Sequence, residues 1–138
     1  MKPDKTDLHV APSVLMVSGD KQDHGRLRKI LTATTWRLRT AETYTQALAV
    51  LQRDRPAILL CEASLPDGSW KDILSQIAAF PDVPLLIVVS GNADERLWSE
   101  VLNLGGYDVL SKPLEDEEVL RTLGLAGNRA AAGMASAF

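Results

Sequence analysis

The stretch ILLCEASLPDG, residues 58–68, joins an apolar strand pattern to a tight turn. Its first residues are all apolar, which is typical of a strand that is covered on both faces of a sheet. Pro66-Asp67-Gly68 is a turn sequence, and Glu62 is the last charged residue before it. This pattern predicts a single carboxylate at the mouth of a buried strand.

Four other segments also have the pattern of strands, two of them apolar throughout and two shorter or alternating. They are SVLMV (13–17), WRLRT (36–40), LLIVVS (85–90) and YDVL (107–110). Amphipathic helical patterns follow each strand, the first over about 23–34 and the last over 115 to about 123. The order predicts an α/β fold, a doubly wound (βα)₅ domain with a five-stranded parallel sheet.

The 138 residues suit one domain, which we place at 13–124. Residues 1–12 are polar and are interpreted as an N-terminal tail. The Ala-rich segment 125–138 has three interpretations: an extension of the last helix, a linker stub, or a disordered end.

Composition excludes several classes of function. The net charge of −3 argues against nucleic-acid binding by this domain. Cys61 is the only cysteine, so no internal disulfide can form, and we expect it to be a small buried hydrophobe. The N-terminus lacks a signal-peptide pattern, and the longest apolar run, VPLLIVV, is too short to cross a membrane. A cytoplasmic protein is expected.

In a parallel sheet, functional side chains gather beyond the carboxyl ends of the strands. The polar residues directly after the predicted strands are therefore the best site candidates. They are Ser18, Gly19, Asp20, Glu62, Ser90 and Lys112.

Several segments resemble the receiver domains of two-component response regulators, in order and in spacing. They are VLMVSGD, TAETYTQALAVL, ILLCEASLPDG, LLIVVSG and GGYDVLSKPL. The resemblance covers about residues 13–124, and LPDG and SKPL are its most specific parts. It implies the flavodoxin-like receiver fold.

The resemblance also implies a role for each strand-end residue. The acid pair that helps to hold Mg²⁺ in the family falls on Ser18 and Gly19, so both acids are replaced. The phosphoacceptor aspartate falls on Glu62, and the two phosphoryl-contacting residues fall on Ser90 and Lys112. The bond from the lysine to the following proline is often cis in the family.

The aromatic switch position of the family falls on Val109. Tyr107 lies two residues earlier on the same strand and is the aromatic residue nearest to it. In the family, the fourth helix, fifth strand and fifth helix form a surface for dimers and partners. Trp98 and Tyr107 are the interface candidates on this surface, with partial burial the other interpretation of Trp98.

These departures favour a pseudo-receiver that works through protein–protein interaction without phosphorylation, and not an enzyme. Glu62, Asp20 and Lys112 together carry a charge of −1 at most, whereas Mg²⁺ prefers an octahedral set of oxygens with several carboxylates. We therefore expect no cofactor, or at most weak Mg²⁺ binding. The implied partner is a histidine kinase, another signalling protein or a second copy of the chain.

Two other functions remain open from the residues. In one, Glu62 accepts a phosphoryl group while Asp20 holds part of an Mg²⁺ site. The other is a flavodoxin-like cofactor binder, which SGDKQD disfavours because it lacks a run of hydroxyls and glycines.

Several residues also have a simpler structural interpretation. Asp20 suits a turn or a helix N-cap, and Ser90 suits the N-cap of the next helix. His24 is expected to be solvated, and Trp70 to cover the mouth of the pocket or to face solvent.

Overall fold

A computed structural model describes the backbone of residues 13–136 and the side chains of residues 13–130. The predicted tail at 1–12 and the last two residues lie outside the described part. The long strands are β1 (Ser13–Val17), β2 (Arg37–Ala41), β3 (Ile58–Glu62), β4 (Leu85–Ser90) and β5 (Asp108–Ser111). The helices are α1 (Lys21–Leu31), α2 (Tyr44–Arg53), α3 (Trp70–Ile77), α4 (Glu95–Leu104) and α5 (Asp116–Ser136).

The five strands form one parallel sheet in the order β2-β1-β3-β4-β5. The chain moves from β1 outward to β2 and then returns to the other side of β1 with β3. The strand order therefore reverses between β1 and β3, and a crevice forms there at the carboxyl ends. Val17 lies opposite Cys61 in this pair, so the residues after β1 reach the end of β3. The predicted (βα)₅ fold is confirmed.

Two apolar layers cover the sheet because side chains alternate along each strand. Val14 and Met16 pack with α1 and α5, whereas Leu15 and Val17 pack with α2, α3 and α4. All four are fully buried. β1, β3 and β4 lie inside the sheet, which explains their continuous apolar sequences.

The bounds of two helices differ from those that the sequence pattern predicts. α1 begins at Lys21 because the Asp20 carboxylate accepts the Gln22 amide hydrogen, and it ends at Leu31. α5 continues past residue 123 to Ser136, which is the extension of the last helix that one interpretation of 125–138 describes. Ala126 is fully buried, and an added Cβ on Gly127 would lie 3.1 Å from the Trp36 ring, so this half of the helix packs closely.

The segment between β3 and α3 contains a small hairpin that the sequence pattern does not predict. Ser64–Leu65 pairs with Gly68–Ser69 in antiparallel fashion. Asp67 at the turn accepts hydrogen bonds from the Tyr44 and Thr45 amides and from the Thr45 hydroxyl. These hydrogen bonds lower the pKa of Asp67 and tie the LPDG turn to the start of α2.

Among the helices of the described chain, none combines the length and the apolar character that crossing a bilayer requires.

Candidate functional site

Glu62 ends β3 and points into the crevice beside β1. Its Oε1 accepts a hydrogen bond from the Gly19 amide at 3.3 Å and lies 3.1 Å from the Ser18 hydroxyl oxygen. Its Oε2 lies 2.6 Å from the Lys112 ammonium. Both carboxylate oxygens of Glu62 therefore have partners from this chain.

Lys112 follows β5 and reaches across β4 to the end of β3. Its amide donates to the Ser90 carbonyl at 3.0 Å, and its peptide bond to Pro113 is cis, as the resemblance implied. Its ammonium contacts Glu62 at 2.6 Å and Asp23 at 2.9 Å. Burial alone lowers the pKa of Lys112, but the hydrogen bonds and charges of these carboxylates outweigh it, and the net shift is upward.

Asp23 is the site residue that sequence reasoning missed. It lies in the first turn of α1, is 8% exposed, and accepts a 2.6 Å hydrogen bond from the Ser18 hydroxyl. A signal was available, because Asp23 precedes Leu27 by four residues and Ile30 by seven, on the apolar face of the helix. A carboxylate within an apolar helical face needs a partner, and Lys112 supplies it.

Ser18 joins the two carboxylates. It is fully buried, and its hydroxyl also accepts the Asp20 amide hydrogen at 3.0 Å. A hydroxyl has one hydrogen to donate, and the Asp23 carboxylate at 2.6 Å is its nearer acceptor. The residue that takes one acid position of the family therefore serves here as a neutral bridge.

The expectation that His24 is solvated is wrong. His24 is 8% exposed and lies against β1, where its Nε2 donates to the Ser18 carbonyl at 2.8 Å. A carbonyl only accepts, so Nε2 carries the proton. Nδ1 is buried, and no described residue bonds to it.

Asp20 and Ser90 both lie at strand ends, but neither contacts Glu62 or Lys112 through its side chain. The Asp20 carboxylate caps α1, in agreement with its simpler interpretation. The expectation that Ser90 caps α4 is wrong, because Asp94 caps that helix and the Ser90 hydroxyl accepts the Asn92 amide hydrogen.

The aromatic candidates have different environments. Trp98 is 48% exposed on α4, whereas Tyr107 is half-buried against the α1 and α5 layer. Val109 packs on the opposite layer. Trp70 was expected at the pocket mouth or in solvent, and this is wrong because it is buried in the core at 3% exposure.

Cys61 is fully buried in the apolar layer that packs with α2, α3 and α4, and burial was expected. Burial and the charge of Glu62 raise the pKa of its thiol to about 12. It therefore remains a neutral thiol at physiological pH.

The donor groups of the crevice do not match an Mg²⁺ site. Ser18 and Gly19 bring no carboxylate, Asp20 caps a helix, and the oxygens of Glu62 are already engaged. Within the described residues, no group of three or more His, Cys, Asp or Glu side chains is placed to hold a metal ion. The Lys112 ammonium supplies the positive charge between Glu62 and Asp23, so these three groups sum to −1.

Comparison with known proteins agrees with this architecture. The family model of the response regulator receiver domain matches residues 14–123. The chain therefore belongs to the receiver domain family of two-component response regulators. The resemblance drawn from the sequence motifs is confirmed.

Relatives of different length share this domain. The transcriptional regulatory protein KdpE of Staphylococcus aureus is 29% identical over 106 residues, which are 77% of this chain and 46% of KdpE. The two-component response regulator ORR3 of Oryza sativa subsp. indica is 26% identical over 121 residues, 85% of this chain and 92% of ORR3. This chain thus spans less than half of KdpE.

Solved structures show the same fold. The signal receiver domain of an HD domain-containing protein from Pseudomonas fluorescens Pf-5 has a TM-score of 0.82 and 28% identity, covering 91% of this chain and 93% of that one. A CheY-like receiver domain protein from Methanospirillum hungatei JF-1 has a TM-score of 0.80 and 20% identity, covering 89% of this chain and 98% of that one.

Proposed function

We propose that this chain is a pseudo-receiver, a signalling module that works through protein–protein interaction and does not depend on phosphorylation or Mg²⁺. The observation that carries the proposal is the Lys112 ammonium between the Glu62 and Asp23 carboxylates. The lysine side chain takes the place of a bound metal ion between these carboxylates, so the charge of the crevice does not depend on Mg²⁺ or on a phosphoryl group.

The chemistry of phosphoryl transfer supports this proposal. Transfer depends on an aligned nucleophile and on a metal ion that neutralises the developing charge. Here one oxygen of Glu62 accepts the Gly19 amide hydrogen beside the Ser18 hydroxyl and the other accepts a hydrogen from Lys112, so each would first have to lose a partner. Glutamate also displaces the reacting oxygen by about the length of one C–C bond, and a misplacement of ~1 Å can cost about 100-fold in rate.

The proposed partner is a histidine kinase or another signalling protein, met in the cytoplasm, with a second copy of the chain as the homodimer alternative. The proposed contact surface, on α4, β5 and α5, includes the exposed side chains of Trp98, Leu102 and Leu120. Trp98 and Leu102 lie four residues apart and share one face of α4. An exposed tryptophan with an aliphatic neighbour is a common interface anchor.

A titration of Mg²⁺ in the presence of beryllium fluoride, which stands in for a phosphoryl group, tests whether the crevice can hold either one. The emission of the three tryptophans should stay constant through the titration, because the crevice offers no set of oxygens for the cation. A receiver domain that has both strand-end acids, titrated in parallel, shows that the reagent is active. A saturable change in this chain would contradict the proposal.

Trp98→Ala tests the surface. The substitution should weaken self-association in sedimentation experiments, or capture of a cognate kinase, by about tenfold or more. Val83→Ala is the matched control, because Val83 is also exposed, at 52%, but lies before β4 and outside the proposed surface. Equal binding by both variants would exclude Trp98 as an anchor.

A further inference from the structure

The loop after β5 is held by α1 through two side chains. Asp23 contacts the Lys112 ammonium, and Arg26, three residues further along the helix, donates through Nε to the Leu114 carbonyl. Residues three apart on a helix are neighbours on its surface. One turn of α1 therefore contacts both ends of the short segment Lys112–Leu114.

Asp23 is held in turn by the end of β1. Its Oδ2 accepts the Ser18 hydroxyl at 2.6 Å, and its side chain is 10% exposed. His24, the next residue, donates to the Ser18 carbonyl at 2.8 Å and fixes the same turn of the helix. The carboxylate that faces Lys112 therefore has little freedom to move away.

We propose that Asp23 is a positioning residue that fixes Lys112 against Glu62, with Arg26 holding the loop in which Lys112 lies. The inference deepens the proposed function and rests on it, because a fixed Lys112 matters for a crevice that carries a constant charge. Through these contacts, the position of Lys112 beside Glu62 depends on α1. None of the site residues that the sequence motifs identify lies on this helix.

The amine reactivity of Lys112 tests this inference. The protein is labelled with an amine-acylating reagent, and the extent at Lys112 is read by peptide mass spectrometry, with exposed Lys29 as the internal reference. Asp23→Asn should raise labelling of Lys112 relative to Lys29 by about three- to tenfold, because one of two charge-assisted hydrogen bonds is lost. Asp23→Glu should restore part of the protection.

Asp20→Asn is the matched control. It removes one negative charge from the same end of α1 and keeps an N-cap side chain, but Asp20 does not contact Lys112. Labelling of Lys112 should therefore stay at the wild-type level in this variant. Equal labelling in the Asp23 and Asp20 variants would overturn the inference.

Arg26→Met is a second variant that tests the same inference if the Asp23 variant does not fold. It leaves the site carboxylates in place and removes only the bond to the Leu114 carbonyl, so labelling of Lys112 should again rise. No rise in a folded Arg26 variant would then overturn the inference. These results concern only the positioning of Lys112. Failure of the proposed function would be seen in a different measurement, as uptake of a phosphoryl group by the wild-type chain.

Discussion

Lys112 lies within hydrogen-bond distance of two carboxylates, and all three side chains are largely removed from solvent. The side-chain exposures are 17% for Lys112, 22% for Glu62 and 10% for Asp23. Two carboxylates that share one cation repel each other when the cation is removed. The ammonium therefore offsets the repulsion between the two carboxylates.

Lys112→Met should lower the free energy of unfolding by about 2–3 kcal/mol, because it leaves two poorly solvated carboxylates without a counter-charge. Chemical denaturation measures the change. Lys71→Met is the matched control, since Lys71 contacts Glu100 at the same 2.6 Å but with side chains that are 50% and 42% exposed. Its effect should stay below about 0.5 kcal/mol, and equal losses in the two variants would argue against the role of burial.

The raised pKa of Lys112 predicts a specific dependence on pH. A raised pKa in the folded state adds stability that is fully present below the pKa of an unfolded lysine, about 10.4. This stability is lost as the pH rises through the folded-state pKa. The difference in unfolding free energy between wild type and Lys112→Met should thus hold below about pH 10.4 and shrink as the pH rises further, and a constant difference would refute the prediction.

The junction between α4 and β5 shows how local backbone geometry places the loop that carries Lys112. Gly105 ends α4 with φ of 107°, which is a left-handed conformation that favours glycine. At Gly106, an added Cβ would lie 2.4 Å from Cγ1 of the fully buried Val101. The pair of glycines therefore lets the chain turn tightly from α4 into the edge strand.

Gly106→Ala should destabilise the protein by about 1–3 kcal/mol, because the new methyl group overlaps a buried side chain. Gly124→Ala is the contrasting variant in α5, where no atom lies within 4 Å of the added Cβ. It should raise stability by about 0.5–1 kcal/mol through helix propensity alone. Thermal denaturation of both variants checks the signs, and two shifts in the same direction would contradict this account.

The parallel sheet could be predicted from the sequence. Burial of side chains leaves a periodic pattern in every strand and helix of the domain, and this pattern can be recognised without knowledge of tertiary contacts. The topology then placed Glu62, Ser18 and Lys112 in one crevice, since parallel strands end at the same edge. Asp23 lies on a helix, and its role depends on how α1 packs beside β1, which strand-end reasoning does not address. His24 was missed for the same reason.

The local sequence pattern left the length of α5 open. Ala-rich sequence has high helix propensity but few apolar anchors, so the amphipathic pattern weakens after Leu123. What holds the next turns is a contact far away in sequence, the close approach of Gly127 to Trp36. Contacts of this kind come from the tertiary fold.

The intact mass of the protein after incubation with acetyl phosphate and Mg²⁺ tests directly whether the chain accepts a phosphoryl group. With Lys112 between Glu62 and Asp23, we expect an unchanged mass at every time point. A saturable gain of one phosphoryl group that is absent from Glu62→Gln would show that Glu62 is an acceptor, and it would contradict the account of this protein as a pseudo-receiver.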